Sequence, residues 1–174
     1  MIAFSIRSLV VEGQLGGVRP GDTRDIVLER LGPPSERMAS GGGTEVWRYG
    51  NFELFLDGDL VYTLYHDYLI QLEADGEREI DAWILGDSEA PDYDDVVERL
   101  NAEQVPFITG RDREKRRMLA IPGGARLLFE VDEDTGVEAW TMIAVDHPDY
   151  SWGKFTPDGS GDGCPRGQVS RGGP

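Results

Sequence analysis

The sequence of 174 residues contains a single cysteine, Cys164. A chain with one cysteine can form neither an internal disulfide nor a cysteine-based zinc site, so apolar burial has to stabilise its fold. A chain of 174 residues is long enough for that. Because Cys164 lies in a glycine-rich stretch near the C-terminal end, we interpret it as an incidental free thiol and not as a nucleophile.

Long hydrophobic runs are also absent. No segment approaches the roughly 18 continuous apolar residues that cross a bilayer. The apolar run in MIAFSIRSLVVEG has no basic residues ahead of it, no small-residue cleavage site behind it and no nearby cysteine for a lipid anchor. We therefore expect a soluble, cytoplasmic protein that does not bind membranes.

Basic residues are scarce, with 17 Lys and Arg against 33 Asp and Glu and a net charge of −16. Such a chain repels nucleic acid and attracts basic proteins by long-range steering, although solubility explains the charge equally well. The one basic island, RDREKRR at residues 111–117, has no interleaved aromatic residues for stacking on bases. We predict that it is a solvated turn that pairs with acidic residues of the body.

The sequence has only two histidines, His66 and His147. Each has an aspartate nearby, but no serine, cysteine or acidic pair is placed for a catalytic triad or for general acid-base chemistry. A catalytic zinc ion usually takes three protein ligands, and two histidines do not supply them. We expect both histidines at the surface or at its boundary and no catalytic residue in the chain.

Clusters of glycine and aspartate are typical of turns here, not of ligand sites. The run Gly41, Gly42, Gly43 leads into a strand, whereas a phosphate-binding loop leads from a strand into a helix. The aspartate clusters at residues 57–59 and 132–134 lack the spacing over about 12 residues and the final glutamate of a helical calcium loop. Hairpin turns favour the same residues. We therefore predict no metal ion and no cofactor.

The first half contains a helix with clear start and stop signals in GDTRDIVLERLGPP, residues 21–34. Asp22 or Thr23 can cap its first turn, and Gly32 with two prolines ends it. Three alternating, aromatic-rich runs follow at residues 45–49, 52–56 and 60–65. A two-residue turn at Gly50 and Asn51 pairs residue 49 with 52 and residue 47 with 54. A three-residue turn at 57–59 would pair residue 56 with 60 and residue 54 with 62.

The second half repeats this plan. Asp92 is the predicted cap of a helix in which Tyr93, Val96, Val97 and Leu100 follow the i, i+3, i+4, i+7 rule. Strands are predicted at residues 116–121, 126–131 and 137–145. The sequence therefore predicts an α+β fold of two tandem units, each a short helix packed on a three- to four-stranded antiparallel sheet.

Four parts make up the predicted domain organisation. They are a first helix-plus-meander unit at 1–70, a connecting segment at 71–91, a second unit at 92–146 and a Gly/Pro-rich tail at 147–174. Residues 80–85, IDAWIL, suit a strand or a helical turn equally well. The tail has too few apolar residues to offset its ordering entropy, so we predict disorder, with Trp152 and Phe155 pinning its first part to the body.

The sheet face that each helix leaves uncovered is the candidate binding surface. In the predicted register that face combines apolar anchors with charge, which is typical of protein interfaces. The residues expected there are Arg48, Phe55, Val61, Tyr65, Leu128, Trp140 and Met142. Alternatively, the tail or a second copy of the chain covers this face. The second case would make the protein a homo-oligomer.

The segments GVRPGDTRDIVLERLGPP and EVWRYGNFELFLDGDLV resemble the SmpA/OmlA (BamE) lipoprotein family. The similarity covers roughly residues 17–64, without the leader or the lipid-bearing cysteine of that family. The doubled unit also resembles the β-lactamase-inhibitor-protein architecture, in which tandem helix-and-sheet repeats present a concave sheet to a protein. The resemblance implies this architecture and protein binding by the sheet.

These observations together predict a non-catalytic protein-binding module, an acidic inhibitor or immunity-type protein with a basic protein as partner. Two alternatives stay open. One is a role in cell-envelope assembly, as the lipoprotein resemblance implies. The other is an enzyme with dispersed carboxylates, such as Asp81, Asp94 and Asp95, in a cleft between the units.

Overall fold

One large antiparallel sheet organises the protein. The computed structural model describes residues 3–67, 69, 72–73, 79–85, 91–149 and 155–158. Within these residues the chain forms two α-helices, one π-helical turn and eleven strands. The elements are β1 Ala3–Ser5, the π-helical turn Ser8–Glu12, α1 Arg24–Leu31, β2 Glu36–Gly41, β3 Thr44–Tyr49, β4 Phe52–Asp57, β5 Leu60–His66, β6 Glu79–Asp81, α2 Tyr93–Ala102, β7 Ile108–Arg111, β8 Arg117–Ala120, β9 Arg126–Val131, β10 Glu138–Asp146 and β11 Thr156–Pro157.

Nine of these strands form one sheet in the order β11-β7-β8-β9-β10-β5-β4-β3-β2. All neighbouring pairs in it are antiparallel, so the predicted α+β class with antiparallel strands is confirmed. The expected pair of separate sheets is not seen, because β5 pairs with β10 and joins the two meanders edge to edge. Val145 lies opposite Leu64 at this joint.

The order of elements is the same in the two halves of the chain. Helix α1 precedes strands β2 to β5, and helix α2 precedes strands β7 to β10. Strands β2 and β7 lie outside the runs predicted from alternation. Strand β2 is exposed along nearly its whole length, and the four-residue β7 buries only Gly110, so neither shows a regular buried face in its sequence. In the ambiguous segment 80–85, residues 80 and 81 belong to β6, which pairs in parallel with β1. Residues 82–85 form a turn in which the Leu85 amide donates a hydrogen bond to the Ala82 carbonyl at 2.9 Å.

The core lies on one face of the large sheet, under the two helices and the N-terminal segment. Helix α1 contributes Val27 and Leu31, and α2 contributes Val96 and Leu100. The N-terminal apolar run contributes Phe4, Ile6, Leu9 and Val10, which are fully buried as well. These side chains pack on Trp47, Tyr49, Phe52, Phe129 and Trp140 of the strands, which are among the largest fully buried side chains.

Glu103, directly after α2, ties three parts of the chain together. Its carboxylate accepts hydrogen bonds from Arg7 at 2.8 Å and from the indole of Trp83 at 2.7 Å, and it pairs with Arg99 at 2.7 Å. These hydrogen bonds, that of Trp83 first, lower the pKa of Glu103. The N-terminal segment, the connecting segment and α2 are therefore held at one point.

The two helix starts differ. Asp92 caps α2 as predicted, since its carboxylate accepts a hydrogen bond from the Asp95 amide at 2.8 Å. The N-cap of α1 is Thr23, but no side chain caps that helix. Asp22 instead accepts hydrogen bonds from the Arg19 amide and from Arg30. The prediction of a side-chain cap on α1 was therefore wrong, because the Asp22 carboxylate is engaged by other donors.

The first predicted register is confirmed and the second is wrong. Tyr49 pairs with Phe52 across the turn at residues 50–51. In the next hairpin Asp57 pairs with Leu60, and an irregularity follows between Phe55 and Leu56. Residue 54 consequently lies opposite residue 64 and not opposite residue 62. An extra residue in one strand turns the side chains beyond it to the other face.

Part of the predicted tail is ordered. Strand β11 pairs with β7, so Thr156 lies opposite Arg111. The ring of Phe155 lies directly over Gly110, where a Cβ atom would be 2.5 Å from the ring. Phe155 therefore pins this segment to the sheet, as predicted, whereas Trp152 and Cys164 lie outside the described residues.

No helix in the described ranges has the length and apolar character needed to cross a lipid bilayer.

Candidate binding surface on the open sheet face

The open face is the side of the large sheet that points away from α1 and α2. At its centre Met142 lies opposite Leu128, and Leu128 lies opposite Met118. Ala144 lies opposite Tyr65 across the joint between β5 and β10. The candidate surface therefore crosses from one half of the chain to the other.

A cavity of about 160 Å³ opens among these side chains. Its apolar lining consists of Met118, Leu128, Met142 and Ala144. Its polar lining consists of Thr63, Tyr65, Asp112, Arg116 and Arg126.

The first arginine at this cavity, Arg126, is held by an ion pair with Asp146. The two side chains are only 18% and 10% exposed, and Asp146 also accepts a hydrogen bond from the Thr63 hydroxyl at 2.9 Å. Charged groups that leave water need such partners. Arg126 therefore carries a local counterion.

The second arginine, Arg116, pairs with three carboxylates. It contacts Asp112 at 2.6 Å, Glu130 at 2.5 Å and Glu114 at 3.4 Å. Burial acts to raise the pKa of Asp112, but the hydrogen bonds from Arg116 outweigh it and lower that pKa. Arg117 pairs with Glu138 at 3.2 Å on the helix side. Arg116 and Arg117 thus pair with acidic residues, as predicted for the basic island.

Tyr65 lies near several carboxylates at the cavity. Burial and then the nearby carboxylates of Asp67, Glu53 and Glu130 raise its pKa to about 12. The Tyr65 hydroxyl donates a hydrogen bond to Asp67 at 3.4 Å. Three carboxylates therefore lie near Tyr65, of which Glu53 is paired with Arg48 and Glu130 with Arg116.

Three of the predicted residues lie on the first half of the open face. The ring of Phe55 is 5.9 Å from that of Tyr65 and 6.0 Å from that of Tyr62, in edge-on arrangements. Arg48 pairs with Glu53 at 2.7 Å, and this hydrogen bond raises the pKa of Arg48. Phe55, Tyr65 and Arg48 therefore belong to one continuous surface, with Leu128 and Met142 on its second half.

Val61 and Trp140 are corrections. Both were expected on the open face, and both are 0% exposed in the core on the other side. Val61 is turned inward by the irregularity after Phe55. Trp140 and Met142 lie on opposite faces, although they are two residues apart, because the register shifts between them.

The sequence reasoning did not place five residues on this surface, Met118, Ala144, Tyr62, Asp112 and Arg116. Met118 and Leu119 point to opposite faces of a predicted strand and both are buried, so a register for the β8–β9 hairpin would have placed Met118 opposite Leu128. Ala144 becomes part of the site only through the pairing of β5 with β10. No local signal in the sequence announces that pairing.

The two histidines have different surroundings. His66 is 0% exposed, so the prediction of a surface or boundary position was wrong. Its ring stacks on Phe52 with 4.5 Å between centroids, and its Nδ1 lies 2.9 Å from the carbonyl oxygen of Asn51. His147 is partly exposed beside Asp149.

The acidic clusters form turns, caps and hydrogen bonds in the described part of the chain. No group of three or more His, Cys, Asp or Glu side chains in these ranges is arranged to hold a metal ion. Asp132 accepts hydrogen bonds from the Thr135 amide and hydroxyl, so its cluster forms a turn as predicted. Asp81 accepts a hydrogen bond from Ser5, while Asp94 and Asp95 lie in the first turn of α2. None of these three aspartates lines the cavity of the open face.

The comparisons with known proteins give little. No protein-family model matches the chain, and no curated protein sequence matches it. One solved structure shares part of the shape, an extracellular protein containing a SCP domain from Bacillus anthracis str. Ames. The TM-score is 0.41 with 14% sequence identity, over 75% of this chain and 44% of that chain. The chain thus spans less than half the length of this structure, and so low a score assigns no function.

Proposed function

We propose that the protein is a non-catalytic protein-binding module of the inhibitor or immunity type, whose open sheet face binds a basic protein. The observation that carries the proposal is an apolar cavity at the centre of that face with carboxylates around it. Phe55, Tyr65 and Met142 supply partly exposed apolar contact area around a cavity whose floor is formed by the buried Met118 and Leu128. Carboxylates outnumber arginines beside it, since Arg116 is paired with three of them and Arg48 with two. An apolar centre inside a charged rim is the usual anatomy of a protein interface.

Charge selects the class of partner. The chain carries a net charge of −16, which steers basic proteins toward it and repels acidic ones. The arginines on the open face carry carboxylate partners, so they do not reverse the sign of its field. A homo-oligomer through this face would bring like charges together.

The order of elements supports a further part of the proposal, that the chain consists of two tandem copies of one helix-and-sheet unit. A helix followed by four strands occurs twice, and the two final strands meet at the centre of the sheet. This arrangement is similar in plan to the β-lactamase-inhibitor-protein architecture. We also propose that the first half of the chain resembles the SmpA/OmlA (BamE) family. We also propose a cytoplasmic location, in keeping with the single cysteine.

Affinity capture from the native lysate tests the proposal, with the full chain as bait. Asp67→Lys reverses one exposed charge beside Tyr65, and Glu98→Lys makes the same change on the exposed side of α2. We expect a basic protein to be retained by the unmodified chain and by Glu98→Lys, released by salt, and lost with Asp67→Lys. Recovery of the bait alone at every salt concentration, or equal capture by both variants, would contradict the proposal.

A further inference from the structure

We infer that the cavity of the open face receives one aromatic side chain, a phenylalanine flanked by lysine or arginine, from the basic partner. The inference rests on the proposed function and specifies what that partner presents. Four features of the cavity lead to it: its volume, its lining, the pairing of its charged groups and the sign of the charge around it.

The volume of the cavity restricts the occupant. Pockets for cofactors and drug-sized ligands measure roughly 300–1,000 Å³. The cavity here is about 160 Å³. An apolar cavity of about 150 Å³ is known to accept benzene. The space therefore fits one phenyl ring or one large aliphatic side chain, and it is too small for a cofactor.

The lining favours a ring over an aliphatic chain. Met118 and Met142 belong to different strands, and both line the cavity together with Leu128. Thioether side chains are flexible and polarisable, and their sulfur atoms make favourable contacts with aromatic rings. Two methionines on one small cavity therefore favour a phenyl ring over an aliphatic side chain.

The charged groups at the cavity are paired already. Arg126 pairs with Asp146, and Arg116 pairs with Asp112 and Glu130. An occupant with its own charge would have to compete with these pairs. An uncharged ring leaves them in place, so the end of the inserted side chain is apolar.

The carboxylates around Tyr65 define what flanks the ring. Arg116 is paired with three carboxylates and Arg48 with two, so the carboxylates there outnumber the arginines. Asp67 adds a further carboxylate beside the Tyr65 hydroxyl. Residues on either side of the inserted ring therefore meet negative charge, which favours lysine or arginine there. A second copy of this chain would present its own excess of acidic residues, so charge disfavours it as the occupant.

Methionine methyl groups make the inference testable in the full chain. The sequence has four methionines, of which Met118 and Met142 line the cavity and Met38 lies in the edge strand β2. The probes are three capped pentapeptides, Lys-Lys-Phe-Lys-Lys, Lys-Lys-Ala-Lys-Lys and Glu-Glu-Phe-Glu-Glu. Binding is followed by methyl chemical shifts of ¹³C-methyl-methionine protein at low ionic strength.

We expect the basic phenylalanine peptide to shift the methyl signals of Met118 and Met142 and to leave that of Met38 in place. Burial of a phenyl ring corresponds to a gain of about tenfold or more in affinity over the alanine peptide. The acidic phenylalanine peptide should bind more weakly than the basic one. Equal affinities of the phenylalanine and alanine peptides, or equal shifts at Met38, would overturn the inference.

A pair of variants separates the cavity from the rest of the face. Ala144→Leu fills the cavity from its floor, and Ala139→Leu makes the same change in the same strand outside the cavity. We expect Ala144→Leu to reduce the affinity for the phenylalanine peptide to that for the alanine peptide, while Ala139→Leu keeps it. Thermal unfolding of both variants checks that they are folded. Unchanged binding by folded Ala144→Leu would overturn the inference.

The failure of the inference and the failure of the proposed function give different results. If the lysate partner is captured equally by Ala144→Leu and Ala139→Leu, the proposed function stands and the cavity is not the anchor site. If the phenylalanine peptide binds at Met118 and Met142 but no partner is captured, the cavity stands as an anchor site and the proposed function fails. If these methyl signals broaden as the protein concentration rises in the absence of peptide, a second copy of the chain occupies the face. That result would overturn the inference.

Discussion

Thr63 of β5 and Asp146 of β10 lie directly opposite each other, and the Thr63 hydroxyl donates a hydrogen bond to the Asp146 carboxylate at 2.9 Å. The two residues are 83 positions apart and come from different halves of the chain. The same carboxylate pairs with Arg126 of β9. One aspartate therefore connects three strands where the two meanders meet.

Replacement of Asp146 by alanine should destabilise the whole sheet. The variant leaves the largely buried Arg126 without this carboxylate, which corresponds to a loss of about 3 kcal/mol in the free energy of unfolding. Urea denaturation measures this loss of stability. The control variant Asp134→Ala, in an exposed turn, should change the free energy of unfolding little. Because both halves share one sheet, we expect a single transition. Two separate transitions would contradict a shared core.

His66 should make the protein less stable in mild acid. Burial lowers its pKa below the ordinary value of 6.5, and within the described residues its Nε2 has no hydrogen-bond partner. The unfolded chain therefore binds a proton at a higher pH than the folded one. The contribution of neutral His66 to the free energy of unfolding is therefore fully present above about pH 6.5. As the pH falls toward the lowered pKa of the folded state, this contribution is lost by up to about 1.4 kcal/mol per pH unit.

Urea denaturation between pH 7.5 and 5 checks this expectation, with the slopes of variants compared. His66→Phe should reduce the slope relative to that of the unmodified chain. Direct NMR titration of the His66 imidazole provides a second measurement that does not depend on a variant. A His66 imidazole that titrates at or above its ordinary pKa would rule the explanation out.

Truncation of Trp140 and of Phe55 should lower the stability of the protein to different extents. Trp140 is fully buried in the core, so Trp140→Ala should lower the free energy of unfolding by about 3–5 kcal/mol. Phe55 is half-buried on the open face, so Phe55→Ala should lower it by about 1 kcal/mol and weaken capture of the partner. Denaturation and capture of both variants measure the two effects. Equal loss of stability would contradict the assignment of faces.

Gly110→Ala should detach the segment at residues 155–158. A Cβ atom there would lie 2.5 Å from the Phe155 ring and 2.6 Å from the Thr156 carbonyl oxygen, so β11 has to move. We expect a loss of about 1–3 kcal/mol and faster amide hydrogen exchange in β11. The loss should be smaller in a Phe155→Ala background, because the ring contact is already absent. Full additivity of the two changes would contradict the contact.

The features that follow from short-range rules could be predicted from the sequence. The Asp92 cap and the apolar spacing of α2 predicted that helix, and the two-residue turn at Gly50 and Asn51 predicted the register of β3 with β4. These features depend on residues a few positions apart, whose conformations the local chain restricts. Most of the candidate surface was predicted by the same alternation.

Two irregular positions defeated that reasoning. The register shifts between Phe55 and Leu56 and between Trp140 and Met142 each insert one residue. Because side chains in a strand alternate, one extra residue sends Val61 and Trp140 into the core and leaves Met142 on the open face. Alternation alone has no means of locating such a shift.

The sequence by itself determined the α+β class, the two helices, most strands and the acidic charge, since these depend on composition and on neighbouring residues. Tertiary structure alone decided that β5 and β10 pair, that Thr63 meets Asp146, and that Ala144 and Met118 close a cavity with Tyr65. The physical reason is that any strand edge offers the same backbone donors and acceptors. Which edges meet is decided by the packing of the whole core, and no local pattern records it.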